Sequence, residues 1–175
     1  LLEKIVKRHP DYHTAKINLA SCLIKLQSFE KAQVILSELQ LKNLSIANIH
    51  YHQALIYMHQ HNVANAIDQL EKTIALDSTH LSAIKQLAKA YHENTQHLKA
   101  KPLYETATTA DPNDTELKHF GAANLLALDE HGQALIWLLE VYAQNPDLDD
   151  LNHNLGAVYL TQGQFKSALH HWLRE

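Results

Sequence analysis

The chain has 175 residues, of which 46% are apolar and 19% are charged, a composition typical of a globular protein. Its four Gly and four Pro are too few for the many tight turns of a β-sandwich or barrel. The formal net charge of −4 disfavours nucleic acid or an anionic membrane as the main partner, because both require a clustered positive surface. The single cysteine, Cys22, excludes an internal disulfide, and we expect its side chain to be buried.

The first segment, residues 1–12, has the sequence pattern of a helix. It precedes the repeats described below, so we interpret it as the end of the second helix of an earlier repeat, in a fragment of a longer protein. No stretch of the chain approaches the roughly 18 consecutive apolar residues that a membrane helix requires. We therefore expect no membrane insertion.

An internal repeat of 34 residues runs through the rest of the chain. One position of the repeat is always alanine, at Ala32, Ala66, Ala100, Ala134 and Ala168. A second position holds only small residues, at Ala20, Ala54, Ala88, Ala122 and Gly156. A third holds leucine or an aromatic residue, at Leu36, Leu70, Tyr104, Leu138 and Trp172. Small residues let two antiparallel helices approach closely, and large apolar residues fill the space between helix pairs, so the repeat predicts packed helix pairs.

The phase of this repeat resembles that of the tetratricopeptide repeat family. The family pattern is clearest in two stretches, formed by Leu87, Ala88, Tyr91, Ala100, Tyr104 and Pro112 and by Leu155, Gly156, Tyr159, Ala168 and Trp172. The resemblance implies an all-α fold, an α-α superhelix (solenoid) of antiparallel helix-turn-helix repeats. It places the repeats at residues 13–46, 47–80, 81–114 and 115–148, with a truncated fifth at 149–175.

Sequence motifs of enzymes are absent, including Gly-rich phosphate loops and the G-x-S-x-G elbow. We therefore predict no catalytic residues, no enzymatic activity and no cofactor. Fourteen histidines raise the question of a metal site, but neighbouring histidines point in different directions on a helix, as in the pairs His50/His52, His59/His61 and His170/His171. We predict no metal site, and a response to pH is a hypothesis that rests on the number of histidines alone.

The resemblance implies that the first helix of each repeat lines a concave groove that binds a partner segment. Carried onto this sequence, the groove comprises Asn18, Tyr51, His52, Leu55, Met58, His59, Lys85, Gln86, Lys89, His92, His119, Phe120, His153 and Asn154.

Three kinds of side chain in this set suggest how a partner is held. The apolar residues Tyr51, Leu55, Met58 and Phe120 would contact apolar side chains of the partner. Lys85 and Lys89 lie one helical turn apart and could together hold a carboxylate, which would favour an acidic stretch. The amides Asn18, Gln86 and Asn154 share one repeat position and could bond to an extended backbone.

A second candidate interface lies on the second helix of the fourth repeat, where Ile136, Trp137 and Leu139 occupy positions that are normally polar. An exposed Trp with two aliphatic neighbours would suit a dimer or a neighbouring domain. Local burial of Trp137 is an equal alternative.

The sequence thus predicts a non-enzymatic scaffold that binds an extended or helical protein segment in the groove. One alternative is the recognition arm of a larger enzyme, for example a glycosyltransferase or methyltransferase. Another is self-assembly, a homo-oligomer formed through the open ends of the array. We expect a protein or peptide partner rather than nucleic acid, and we favour a cytoplasmic location.

Overall fold

A computed structural model of the chain describes residues 2–9, 11–42 and 46–174. Within these ranges the regular secondary structure is entirely helical, in agreement with the predicted all-α class. The helices in these ranges are α1 (Leu2–Arg8), α2 (His13–Lys25), α3 (Phe29–Leu41), α4 (Ala47–His59), α5 (Val63–Leu76), α6 (Leu81–Glu93), α7 (His97–Ala110), α8 (Thr115–Leu126), α9 (His131–Gln144), α10 (Leu151–Thr161) and α11 (Phe165–Trp172).

The chain divides into two compact units, residues 1–83 and 84–175. In the first unit α2 packs against α3 and α4 packs against α5, and in the second α8 packs against α9 and α10 against α11. We call the even-numbered helices α2 to α10 the first helices and the odd-numbered helices α3 to α11 the second helices. The exact bounds of the repeats, and the assignment of residues 1–12 to an earlier repeat, stay predictions.

The small residues of the repeat are buried where paired helices meet. In the first unit Ala20 and Ala32 are fully buried, and they share a core cluster with Leu36 and Ile49. In the second unit Ala122 and Ala134 are equally inaccessible to solvent. Because alanine has no side-chain atom beyond Cβ, the helices approach closely and the large apolar side chains on either side interlock.

The turn between the two helices of each pair has the same backbone conformation throughout the chain. The left-handed region is occupied every 34 residues, with φ from 55° to 73°, at Gln27, His61, Thr95, Asp129 and Gly163. The next backbone N–H closes the turn on a carbonyl five residues earlier, from Ser28 to Leu23 at 2.8 Å and from Asn62 to Tyr57 at 2.9 Å. Four of these residues carry a Cβ, so the packing of the flanking helices must hold a conformation that only glycine adopts freely.

The expectation that Cys22 is buried is wrong. Its side chain on α2 is exposed, whereas Ile56 and Val158, at the same repeat position in later first helices, are buried.

Trp137 is buried, which is the second of the two alternatives that the sequence left open, exposure at an interface and local burial. The indole on α9 is only 9% exposed, and it fills the space beside Gly121 on α8. A Cβ at Gly121 would lie 2.4 Å from Cζ3 of Trp137, so the two residues fit only because one of them has no side chain.

Candidate functional site

The candidate site in the first unit is the exposed face of α2 and α4. Leu55 and Met58 are half-buried on α4, one turn apart, so they form a small apolar patch on one side of the helix. Asn18 on α2 is exposed. These three residues are therefore accessible to a partner.

Two predicted groove residues of the first unit are held by contacts within the unit. The ring of Tyr51 packs against His80, with ring centroids 4.7 Å apart, and His80 in turn bonds to Asn48 through Nε2 at 3.1 Å. The imidazole of His59 stacks on Phe29 with centroids 3.8 Å apart. Both side chains help to join neighbouring elements, which leaves less of their surface for a partner.

His52 lies on the same helix but is buried, with 8% of its surface exposed. Its Nδ1 atom has no hydrogen-bond partner in the described part of the chain. Desolvation lowers the pKa of His52 to about 4, and the nearby His80 acts in the same direction. The side chain is therefore neutral at pH 7, and it is a core residue rather than a groove residue.

In the second unit, Lys85 is held by carboxylates of the same chain. Its Nζ donates to Asp111 Oδ2 at 2.8 Å and to Asp114 Oδ2 at 2.7 Å. Hydrogen bonds from the ammonium group to these two carboxylates raise the pKa of Lys85. Asp114 also caps α8, because its Oδ1 accepts from the backbone N–H of Leu117 at 2.9 Å.

Lys89, one turn further along α6, is also engaged. Its Nζ donates to Glu116 Oε1 at 3.0 Å and lies 4.0 Å from the centroid of the Phe120 ring. The two lysines that were predicted to hold a partner's carboxylate together are therefore each paired with acids that follow them by 26 to 29 residues.

Phe120 itself is half-buried on α8, next to His119. His119 is only 9% exposed, and its Nε2 accepts from Asn154 Nδ2 on α10 at 3.2 Å. Burial lowers the pKa of His119, and the carboxylate of Asp150 opposes that shift. The predicted residues His119, Phe120 and Asn154 are thus brought together on neighbouring first helices.

The other predicted groove residues of this unit have mixed surroundings. Gln86 is half-buried, and His153 is exposed and accepts a bond from Trp172 Nε1 through its backbone carbonyl at 3.3 Å. His92 Nδ1 lies 3.2 Å from Oδ1 of Asn124, the atom that His97 Nδ1 also approaches, at 3.1 Å.

Asn124 was missed by the sequence reasoning. It is fully buried, and its Nδ2 donates to the carbonyl of His97 at 3.1 Å, so one amide ties α8 to both ends of the turn that contains residues 92–97. The sequence does contain an indication of its role, because Asn124 is a polar residue at a repeat position that elsewhere holds Cys22, Ile56, Ala90 and Val158. Because a buried amide must be paired, such an exception predicts a local polar network.

The second candidate interface is smaller than predicted. Ile136 and Leu139 remain exposed on α9, at 52% and 42%, but Trp137 belongs to the core. Without the indole, the surface has no aromatic anchor of the kind that dominates protein interfaces.

Neither a metal site nor a membrane span is found in the described ranges. There, no group of three or more His, Cys, Asp or Glu side chains is arranged to hold a metal ion. None of the helices there combines the length and the apolar character needed to cross a bilayer.

Family models match two parts of the sequence. Models of the tetratricopeptide repeat match residues 1–55 and 85–114. No curated protein matches the sequence.

Solved structures with the same fold cover nearly the whole chain. The crystal structure of YrrB, described as a TPR protein with an unusual peptide-binding site, shares 22% identity at a TM-score of 0.89, over 98% of this chain and 88% of that one. MamA from Desulfovibrio magneticus RS-1 (residues 41 to the end) shares 16% identity at a TM-score of 0.82, over 94% and 93%. MamA AMB-1 shares 15% at a TM-score of 0.82, over 91% and 94%.

These matches bear on both fold and activity. The repeat models and the similar structures point to a non-catalytic protein-interaction fold. Residues 1–55 and 85–114 thus match the tetratricopeptide repeat, and the 34-residue recurrence of buried alanines and left-handed turns extends the same pattern along the described chain.

Proposed function

We propose that this protein is a scaffold that binds a segment of another protein on the exposed faces of its first helices. The match to the tetratricopeptide repeat supports this role in general, because members of that family serve as protein-interaction modules. The description of YrrB as having a peptide-binding site supports it for a protein of the same fold.

The observation that carries the proposal is the exposure of Phe120. The ring is half-buried on α8, and Lys89 covers it only in part, with its ammonium group 4.0 Å from the ring centroid. Ala123, one turn further along α8, is also half-buried and leaves room beside the ring. A partner side chain that packs here would bury aromatic surface next to polar groups, which is the arrangement of a binding hot spot.

The first unit offers a smaller patch of the same kind. Leu55 and Met58 lie on one side of α4 and are half-buried. The thioether of Met58 has three rotatable bonds and adapts its contacts to the partner. Each unit therefore has an apolar contact on a first helix, and Phe120 supplies the larger one.

The test is a selection of random peptides of about 12 residues displayed on phage, followed by fluorescence anisotropy of the recovered peptides. We expect Phe120→Ala to weaken binding about tenfold or more, because truncating a hot-spot aromatic removes most of its contact area.

The matched control is Phe165→Ala, which removes the same ring from a second helix where it is 69% exposed. Circular dichroism is used to check that both variants are folded. The proposal is wrong if no peptide is recovered, or if Phe120→Ala and Phe165→Ala weaken binding equally.

A further inference from the structure

The charged groups around Phe120 favour one kind of partner. Lys85 is shared by Asp111 and Asp114, and the latter is also close enough to Lys89 for their charges to interact. Lys89 is itself bound by Glu116. Both ammonium groups are therefore already paired with carboxylates of the same chain, and an acidic partner would have to compete with these.

A further carboxylate interacts with His119, the neighbour of Phe120. It belongs to Asp150, which is exposed at the start of α10. His119 is neutral near pH 7 because its burial lowers its pKa, so it does not offset the charge of Asp150. The connected set has two ammonium groups and four carboxylates, namely Lys85, Lys89, Asp111, Asp114, Glu116 and Asp150.

The structure already contains one cation bound at this ring. The ammonium group of Lys89 lies between Glu116 Oε1 and the Phe120 ring, 3.0 Å from the oxygen and 4.0 Å from the ring centroid. The side chain of Glu116 is 69% exposed, so its carboxylate can accept further donors from outside the chain. A carboxylate beside an aromatic ring is a combination that attracts ammonium and guanidinium groups.

We infer that the partner segment bound at Phe120 carries an apolar side chain flanked by lysine or arginine residues. The inference rests on the proposed function and names the partner class for the same site. It replaces the sequence-based expectation of an acidic stretch, since an acidic segment would have to displace Asp111, Asp114 and Glu116 from the lysines and would meet Asp150 as well.

The experiment uses the peptides that the phage selection recovers. Each peptide whose binding depends on Phe120 is synthesised in two forms, one with its basic residues retained and one with each of them replaced by glutamate. At low ionic strength we expect the basic form to bind at least about tenfold more tightly. The difference shrinks as salt is added, because exposed charges are screened.

Variants of the protein locate the effect. Glu116→Gln and Asp150→Asn each remove a charge with little change of shape, and each should weaken the basic peptide severalfold. Glu105→Gln is the matched control, because it removes a carboxylate that is 51% exposed on the second helix α7. It should leave the affinity unchanged.

The outcomes separate the inference from the proposed function. Peptides that depend on Phe120 but are neutral or acidic would overturn the inference and leave the proposed function standing. Basic peptides that lose no affinity in Glu116→Gln and Asp150→Asn would also overturn it. A selection that yields no binder dependent on Phe120 would overturn both.

Discussion

The two units bury a histidine on a first helix to almost the same extent but surround it differently. His52 in the first unit and His119 in the second are 8% and 9% exposed. Among the described residues Nδ1 of His52 has no hydrogen-bond partner, and the pKa of His52 falls to about 4. His119 is bonded to Asn154 and faces Asp150, whose carboxylate opposes the effect of burial on its pKa. Equal burial therefore has different electrostatic consequences, because the neighbouring polar groups decide how desolvation is compensated.

The packing between paired helices also differs between α2–α3 of the first unit and α8–α9 of the second. Leu19 and Ile35 in the first unit occupy the repeat positions of Gly121 and Trp137 in the second. Leu19 and Ile35 are both partly buried against the core, so both helices contribute volume. In the second unit the side chain of Trp137 supplies nearly all of this volume, and Gly121, which has no side chain, supplies none. The same space between helices is filled from both sides in one unit and from one side in the other.

The largest effect on stability is expected when Gly121 alone is replaced by leucine, the residue at the equivalent position of α2 in the first unit. Gly121→Leu places a side chain where a Cβ alone would lie 2.4 Å from Trp137, so we expect a loss of about 3 kcal/mol of unfolding free energy. The double variant Gly121→Leu, Trp137→Ile should recover most of the loss, since it reproduces the pair of the first unit. Urea denaturation followed by circular dichroism measures both.

A glycine with no close neighbour provides the control for this substitution. A Cβ at Gly132 on α9 meets no atom of the described residues within 4 Å, so Gly132→Ala should be neutral or stabilising by up to about 1 kcal/mol. If the double variant regains no stability, the interpretation that Leu and Ile together can fill the space of Gly121 and Trp137 is wrong.

The next effect is a loss of stability of the first unit in acid. The lowered pKa of His52 means that the unfolded chain binds a proton more readily than the folded chain. Its contribution is fully present above about pH 6.5 and declines as the pH falls towards 4, by about 3 kcal/mol in total. His52→Leu should flatten this part of the dependence of unfolding free energy on pH, measured by urea denaturation.

The location of the acid effect can be tested with the two tryptophans, which both lie in the second unit. Helix content measured by circular dichroism should decrease before tryptophan fluorescence changes as the pH is lowered. His9→Gln is the control, because it removes an exposed histidine from the same unit. An unchanged pH dependence in His52→Leu would contradict the assignment.

The smallest effects are expected at the left-handed turns, where four residues have a Cβ and one does not. Thr95→Gly should stabilise the protein by about 1 kcal/mol, because a β-branched residue is the least suited to positive φ. Gln27→Gly in the first unit should stabilise the protein somewhat less than Thr95→Gly does. Gly163→Ala should lose about 1 kcal/mol, and thermal denaturation of the three variants gives the order. Equal melting temperatures would show that the turns impose no such preference.

Much of the fold could be predicted from the sequence, because the repeat acts through local helix periodicity. The alanines at positions such as Ala32 and Ala134 are fully buried, as their recurrence indicates, and so are large residues such as Tyr104. The non-glycine turns were not foreseen, since residues as different as Gln27, His61 and Thr95 share one conformation. That conformation is imposed by helix packing rather than by the residue itself.

The candidate site was less accessible to sequence reasoning, because its properties depend on pairs of residues far apart in the chain. Lys85 and Lys89 were recognised as neighbours on one helix, but their partners Asp111 and Glu116 come from later segments. Periodicity within a helix says nothing about such pairs. For the same reason, periodicity left the exposed and the buried alternative for Trp137 open, and Gly121 on the facing helix explains why the indole is buried.

The recurring turn also gives each helix pair an equivalent reporter of local opening. The N–H of the residue after each left-handed position donates to a carbonyl five residues earlier, at Ser28, Asn62, Gln96, Glu130 and Gln164. These five amides have nearly the same geometry, with donor–acceptor distances of 2.8 to 2.9 Å. Their rates of exchange with deuterated solvent therefore differ mainly through the opening free energy of the pair to which each belongs. Hydrogen exchange at these five amides would therefore report the local stability of each helix pair separately.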